Sequence, residues 1–227
     1  MSSESTVIAY HLSELATARD PESPYHAMPG FGPDTKAVLD IGCGIGQTLV
    51  ASGLQNAFLV GLDTDAEALA YGHRQFSHIY FVNGSAESLP FDDGAFDCVV
   101  SRVSLPYTNL TKSLSEVSRV LADNGTVWLT LHGVDYALKG FFRALRSLRA
   151  KALLFRTYVI VNGIVFHIGG RLFWLLDAKR MKRYESFQTI GSMTRALKRN
   201  GFADVEVRRQ GPHMICTARK RQREDPR

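Results

Sequence analysis

The chain is short of cysteine. Its three, Cys43, Cys98 and Cys216, are scattered, and each lies in or beside an apolar run. No pair has the spacing of a metal site, so they read as buried thiols of a protein from a reducing compartment. A long apolar run is also missing. The nearest candidate, Thr157 to Ile168, has twelve residues and contains Asn162, Gly163 and His167, whereas a membrane span needs roughly twenty. Nothing at the N-terminus resembles a secretory signal, and there is no internal repeat. These absences lead us to expect a cytoplasmic globular protein. With 227 residues the chain is long enough for one full core and short for two. Acids are missing from one region. From Tyr136 to Arg183 eleven Lys and Arg stand against the single acid Asp177, within a chain of formal charge +5.

Glycine is concentrated in one place. Val38-Leu39-Asp40-Ile41 is an apolar strand that carries an acid near its end. Gly42-Cys43-Gly44-Ile45-Gly46 follows directly, then a helix-like stretch from Gln47 to Leu54. Such a turn brings bare backbone against a ligand, because a Cβ would block the approach and glycine tolerates positive φ. The next helix adds unpaired N–H groups and the positive end of its dipole. The pattern therefore predicts a nucleotide-type pocket. The dinucleotide spacing G-x-G-x-x-G is absent and G-x-G-x-G stands instead, which disfavours an NAD-dependent oxidoreductase.

Roughly twenty residues after the first glycine, Phe58-Leu59-Val60-Gly61-Leu62-Asp63 is a second apolar strand ending in a carboxylate, the spacing used to hold ribose hydroxyls. Ionised Asp63 only accepts hydrogen bonds, so it suits a pair of O–H donors; Asp65 suits the cap of the following helix. Three further segments come in order: Phe81-Val82-Asn83-Gly84-Ser85-Ala86-Glu87-Ser88-Leu89-Pro90-Phe91, then Ala95-Phe96-Asp97-Cys98-Val99-Val100-Ser101, then Val120-Leu121-Ala122-Asp123-Asn124-Gly125-Thr126-Val127.

Taken together these segments resemble the class I S-adenosylmethionine (SAM) methyltransferases, in particular the type 11 group that includes ubiquinone- and menaquinone-type enzymes. The resemblance is close over residues 36–132 and looser over 185–218. It implies SAM as cofactor and S-adenosylhomocysteine as product. It places Asp40, Gly42, Cys43, Gly44 and Gly46 at the methionine portion, Asp63 and Thr64 at the ribose, and Ser85, Ala86 and Glu87 at the adenine. Ser101 ends the strand that faces the methyl group. Ser85 stands where the family usually has Asp, so a hydroxyl would bond the adenine without charge assistance. Glu87 reads equally as a solvated loop acid.

The alternation of strand and helix predicts an α/β, Rossmann-like fold. Its sheet would have seven mostly parallel strands with helices on both faces and a helical lid insert after the fifth strand. Strands are expected near 36–41, 57–62, 79–83, 95–100 and 126–131, and helices near 46–54, 65–76 and 110–121. A helix marked by Ile190, Met193 and Leu197, with Thr189 as its cap, and a hairpin at about 202–208 and 212–218 would complete the sheet. The corresponding plan is a cap segment over 1–35, a SAM-binding core over 36–134, a lid over 135–185, the last helix and hairpin over 186–218, and a disordered tail over 219–227. The first few residues are expected to be disordered too. In the cap segment, Tyr10 or Tyr25 could stack over the cofactor.

The basic, apolar insert has three readings: a lid with a solvated basic face, an interfacial helix on anionic lipid, or a nucleic-acid surface. Substrate contacts and any general base fall on Tyr107, His132 and His167; His132 leaves the carboxyl edge of a central strand. Each histidine also has a structural reading. Ser104-Leu105-Pro106-Tyr107 looks like a degraded N-P-P-Y motif, but its register is wrong and the first proline is absent, which argues against methylation of base or glutamine nitrogen. The expected function is methyl transfer to a small, hydrophobic or lipid-like acceptor, at oxygen or carbon. The alternatives are an RNA methyltransferase and a noncatalytic SAM-binding or membrane-associated protein. The expected location is cytoplasmic, with possible peripheral contact to an anionic membrane through 136–183. The sequence leaves the oligomeric state open.

Overall fold

The computed structural model describes residues 5–170 and 184–222. Helix α1 (Thr6–Arg19) precedes the core. The core runs β1 (Ala37–Ile41), α2 (Gln47–Ser52), β2 (Phe58–Asp63), α3 (Ala66–Gln75), β3 (Ile79–Asn83) and β4 (Phe96–Arg102). A short 3₁₀ turn (Leu105–Tyr107), α4 (Leu110–Val120) and β5 (Leu121–His132) follow. The insert supplies α5 (Val134–Arg146) and α6 (Ala150–Gly169). Helix α7 (Ile190–Arg199) and strands β6 (Phe202–Gln210) and β7 (His213–Lys220) close the chain.

The seven strands form one sheet in the order β3-β2-β1-β4-β5-β7-β6. The first five are parallel, and β7 runs antiparallel between β5 and β6. The expected fold class is the one observed. The central strands β1, β2 and β4 are covered on both faces, which is why they are apolar almost throughout, whereas the edge strand β6 alternates. Val60, Leu39, Val99 and Val127 are paired neighbours across four strands and lie in one buried cluster with α4 and α7. Leu59, Val38 and Cys98 form the matching row of a second cluster.

Local chemistry sets the element ends. Asp65 Oδ1 accepts the N–H groups of Glu67 and Ala68 and starts α3. Asn109 caps α4, which buries Leu110, Leu114 and Val117 at i, i+4 and i+7. Thr189 and Ser192 form a reciprocal capping box on α7. Ile190, expected on the buried face of α7, is half exposed, whereas Met193 and Leu197 are fully buried.

Four boundaries differ from expectation. Helix α1 was not anticipated, although Ile8, Leu12 and Leu15 stand at i, i+4 and i+7, one helical stripe; Ile8 and Leu15 are buried and Leu12 packs beside them. Strand β5 begins at Leu121, directly after α4, and the Asn124-Gly125 turn becomes an irregularity within it. Asn124 has φ 63°, and a Cβ on Gly125 would sit 2.4 Å from a Leu121 methyl. Strand β7 runs through Lys220, placed in the disordered tail by the sequence, because its Nζ donates to the Leu121 carbonyl from a buried position. Helix α6 has 20 residues and is long and apolar enough to cross a membrane by length and composition, against the twelve-residue run expected. The expected disorder at residues 1–4 and 223–227, and the insert's 171–183 with Arg171, Asp177, Lys179, Arg180, Lys182 and Arg183, lie outside the described residues.

Candidate active site

The carboxyl ends of β1, β2 and β4 open on a cavity of about 450 Å³, within the range of small-molecule sites. Of the glycine turn Gly42 lines it, whereas Cys43, Gly44 and Gly46 lie behind that lining. Gly42, Gly44 and Gly46 have φ 75°, 54° and 90°, values that favour glycine. The space above them is also closed to larger residues: a Cβ on Gly42 would lie 2.1 Å from the Ser104 Cβ, and one on Gly44 2.4 Å from His11 Nδ1.

Asp63 organises the second wall. Its Oδ2 accepts the Gly44 N–H at 2.8 Å and its Oδ1 the Asp65 N–H at 3.0 Å. One carboxylate therefore joins the glycine turn to the start of α3 and still lines the cavity beside Thr64. Ser85, Ala86 and Glu87 form the third wall. The Ser85 hydroxyl accepts the Glu87 N–H at 3.2 Å, which leaves its own proton for a ligand. Glu87 is not simply solvated, because Oε1 accepts the Asn109 N–H at 2.9 Å at the head of α4. Arg119 pins the rest of this loop by donating to the carbonyls of Leu89 and Phe91 and to Glu116.

Asp40 lies beneath the glycine turn, 1% exposed, and neither carboxylate oxygen has a hydrogen-bond partner. Burial is the main cause that pushes its pKa up to about 7, with the Asp63 charge adding to it; Arg102 and the nearby Thr48 hydroxyl oppose the shift. Thr48 eases the charge without closing a bond within hydrogen-bonding distance. An unpartnered buried carboxylate is costly unless something cationic joins it.

Helix α1 brings a fourth wall that the sequence did not assign in full. Tyr10, His11 and Glu14 line the cavity, while Tyr25 does not and instead meets His213 edge to face. Glu14 forms an ion pair with Arg102 at 3.2 Å, and His11 Nδ1 is 3.2 Å from Gln47 Nε2. Gln47, Arg102, Ser104 and Tyr184 also line the cavity without having been assigned a role. The signal for Arg102 was present: a cation ending an apolar strand.

The remaining assigned residues stand behind the walls or away from them. The Ser101 hydroxyl is buried and lies 2.6 Å from that of Ser104, which in turn donates to the Ile41 carbonyl at 2.7 Å. Ser101 thus positions Ser104 rather than facing the cavity. Cys43 is buried in the turn with its thiol pushed well up in pKa, and burial raises those of Cys98 and Cys216 to about 11 and about 12. All three are free and buried as expected. Tyr107 lines the cavity and its hydroxyl is 2.8 Å from His132 Nε2. His132 is behind it, stacked on Tyr136 at 3.9 Å. Burial first, then His213 and Arg156, lower the His132 pKa to about 4, so the ring is neutral at physiological pH and its tautomer decides whether Nε2 or the Tyr107 hydroxyl is the donor. His167 is not brought to the cavity. It is exposed, with Nδ1 2.7 Å from the capping hydroxyl of Thr189. Glu185 and Gln188 anchor the insert instead of facing the site: Glu185 binds Arg156 at 2.8 Å, and the Gln188 N–H donates to the His132 carbonyl.

Residues 39–129 match the family described as "Methyltransferase domain". Over those residues the chain carries this methyltransferase domain, and its fold resembles that of the class I SAM-dependent methyltransferases. It is 36% identical over 106 residues to the uncharacterized methyltransferase YodH of Bacillus subtilis, covering 45% of this chain and 44% of the relative. It is 31% identical over 136 residues to the fatty-acid O-methyltransferase of Mycolicibacterium smegmatis, covering 57% and 50%. The fold matches a SAM-dependent methyltransferase of Thermotoga maritima, described as a possible histamine N-methyltransferase, with TM-score 0.63 at 16% identity over 95% and 96% of the two chains. The chain spans about half the length of the curated relatives it matches.

SAM, the cofactor of this family, suits the residues present. It carries an ammonium and a sulfonium, whose positive charge would act on the orphaned Asp40 carboxylate through the glycine turn, since Asp40 does not itself line the cavity. Asp63 can accept from paired hydroxyls, and Arg102 can meet a carboxylate.

Proposed function

We propose that the chain is a methyltransferase that uses SAM to methylate a small hydrophobic acceptor at an oxygen, a carboxylate in preference to an alcohol. The observation that carries this reading is Tyr107 in the cavity wall, hydrogen-bonded to His132 behind it. When bound, SAM supplies an electrophilic methyl group that needs no further activation, so the protein's task is to position and desolvate the acceptor.

An alcohol must lose a proton as it attacks. Tyr107 could take it while passing its own to His132 Nε2, but His132 resists the charge, with a pKa of about 4. Charging it at pH 7 costs about 4 kcal/mol. A carboxylate arrives ionised and asks only for orientation, which the Arg102 guanidinium can give, as can the Tyr107 hydroxyl in the tautomer whose His132 Nε2–H donates to the Tyr107 oxygen and leaves the phenol proton for the substrate. The fatty-acid O-methyltransferase relative fits this chemistry. The apolar character of the insert beside Tyr107, with Tyr136 stacked on His132, fits an acceptor with a hydrocarbon tail.

The test is transfer of labelled methyl from SAM to fatty acids, matched fatty alcohols and matched amines. We expect ester formation, with kcat/KM level between pH 6 and 8. Tyr107→Phe is expected to lower kcat/KM by about tenfold, the scale of one lost orienting hydrogen bond. Preference for alcohols or amines, with a rate climbing steadily with pH, would contradict this reading.

A further inference from the structure

The α5–α6 hairpin leaves side chains in solvent that neither the fold nor the cavity uses. On α5, Leu138, Phe142 and Leu145 are 41%, 53% and 44% exposed and recur at i, i+4 and i+7, one stripe of the helix. Lys139, Arg143 and Arg146 repeat the same spacing one residue later, a second stripe about 100° round the helix. The connection carries Leu148, 88% exposed, next to Arg149 and Lys151. Helix α6 continues the pattern with Leu154, Val161 and Ile168 exposed at seven-residue steps, one face of the helix, while its other face packs on the protein through Val159, Asn162 and Phe166.

The charge of this surface is one-sided. Between residues 134 and 170 the only acid is Asp135, which is engaged by Arg209 at 3.4 Å. Arg156 is engaged by Glu185. The other five cations, Lys139, Arg143, Arg146, Arg149 and Lys151, have no ion pair with a described residue. Between these cations the exposed side chains are aliphatic except for Phe142, a poorer match to a nucleic acid, which pairs cations with several stacking faces. They fit a bilayer interface, where the leucines enter the acyl boundary and long cationic side chains reach back to phosphate.

We propose that the α5–α6 hairpin is a docking surface for an anionic lipid bilayer. The basic stripe meets the headgroups, and the apolar stripes with Leu148 enter the interface. The inference rests on the hairpin alone and holds whichever acceptor the cavity takes. It also has a consequence for the site. The hairpin begins two residues after His132, and Tyr136, on its first turn, stacks on that ring. Docking would therefore bring the Tyr107 wall of the cavity near the membrane surface.

The test is cosedimentation of the full chain with vesicles of phosphatidylcholine alone and with a third of phosphatidylglycerol, at low and moderate salt. We expect binding to the anionic vesicles that weakens with salt. The triple variant Arg143→Glu, Arg146→Glu, Arg149→Glu should lower the partition coefficient by at least about tenfold, since each cation near an anionic surface contributes measurably. Leu148→Asp should lower it too. Both variants should keep the wild-type circular dichroism and melting temperature, which separates lost docking from lost fold. Absence of binding to anionic vesicles by folded protein, or binding indifferent to both variants, would overturn the proposal. Tighter binding of a single-stranded RNA, lost in the triple variant, would assign the surface to nucleic acid instead. Lipid-free self-association abolished by Leu148→Asp would assign it to a second copy of the chain.

Discussion

Asp40 is the residue with the largest energetic stake. Its carboxyl has a pKa of about 7 in the folded protein against 3.8 for the free group. The folded state therefore binds the proton more tightly than the unfolded one, and stability falls as pH rises from about 4 through 7. The shift corresponds to on the order of 4 kcal/mol, less whatever relaxation recovers. His132 works the other way, because its folded pKa of about 4 is depressed, so its contribution is lost as pH falls below about 6.5. The two overlap, and only the difference between variants isolates Asp40. Asp40→Asn is expected to stabilise the ligand-free protein at pH 8 by about 2–4 kcal/mol, with little effect at pH 4.5. The same substitution should weaken SAM binding. Melting curves of both proteins at the two pH values check this, and parallel pH profiles would contradict it.

At the scale of elements, the pocket is held by a few connections between strand ends and helices. The loop from Gly84 to Phe91, which carries Ser85 and Ala86, has no regular structure of its own. Arg119 on α4 fixes it by reaching two of its carbonyls, while Glu116 accepts the Leu89 N–H at 2.7 Å. Glu116 is held below the usual carboxylate range chiefly by its hydrogen bond to Arg119. Arg119→Met keeps the stem and removes these bonds. The side chain is about a third exposed, so the expected loss of stability is modest, about 1–2 kcal/mol. The expected loss of SAM affinity is about tenfold, because the adenine wall would no longer be preorganised. Calorimetry and melting curves on one preparation separate the two effects. Unchanged affinity would show that the loop holds its shape without α4.

Across the whole molecule, the order of strands and helices was legible because buried parallel strands write themselves as apolar runs and their turns as Gly, Asp and Asn. The glycine turn, Asp63, Ser85 and Ala86 were legible for the same reason: the backbone path demands those residue types locally. The docking of helix α1 on the cavity, Gln47 and the Arg102–Glu14 pair were not, since they meet only through contacts between distant segments, 88 residues apart in the case of Arg102 and Glu14. The pairing of His132 with Tyr107 was half legible. Both residues stood out, but only the fold shows one facing the cavity and the other behind it. His167 drew notice as a histidine in an apolar insert and proves to sit at the cap of α7. The central claim is that the edge of this sheet, with Asp63 at its centre, is a SAM site. Calorimetric titration with SAM and S-adenosylhomocysteine, using Asp63→Ala as control, tests it most directly. The account predicts that both ligands bind the wild-type protein and that the substitution abolishes or severely weakens both; well-folded wild-type protein that binds neither would contradict it.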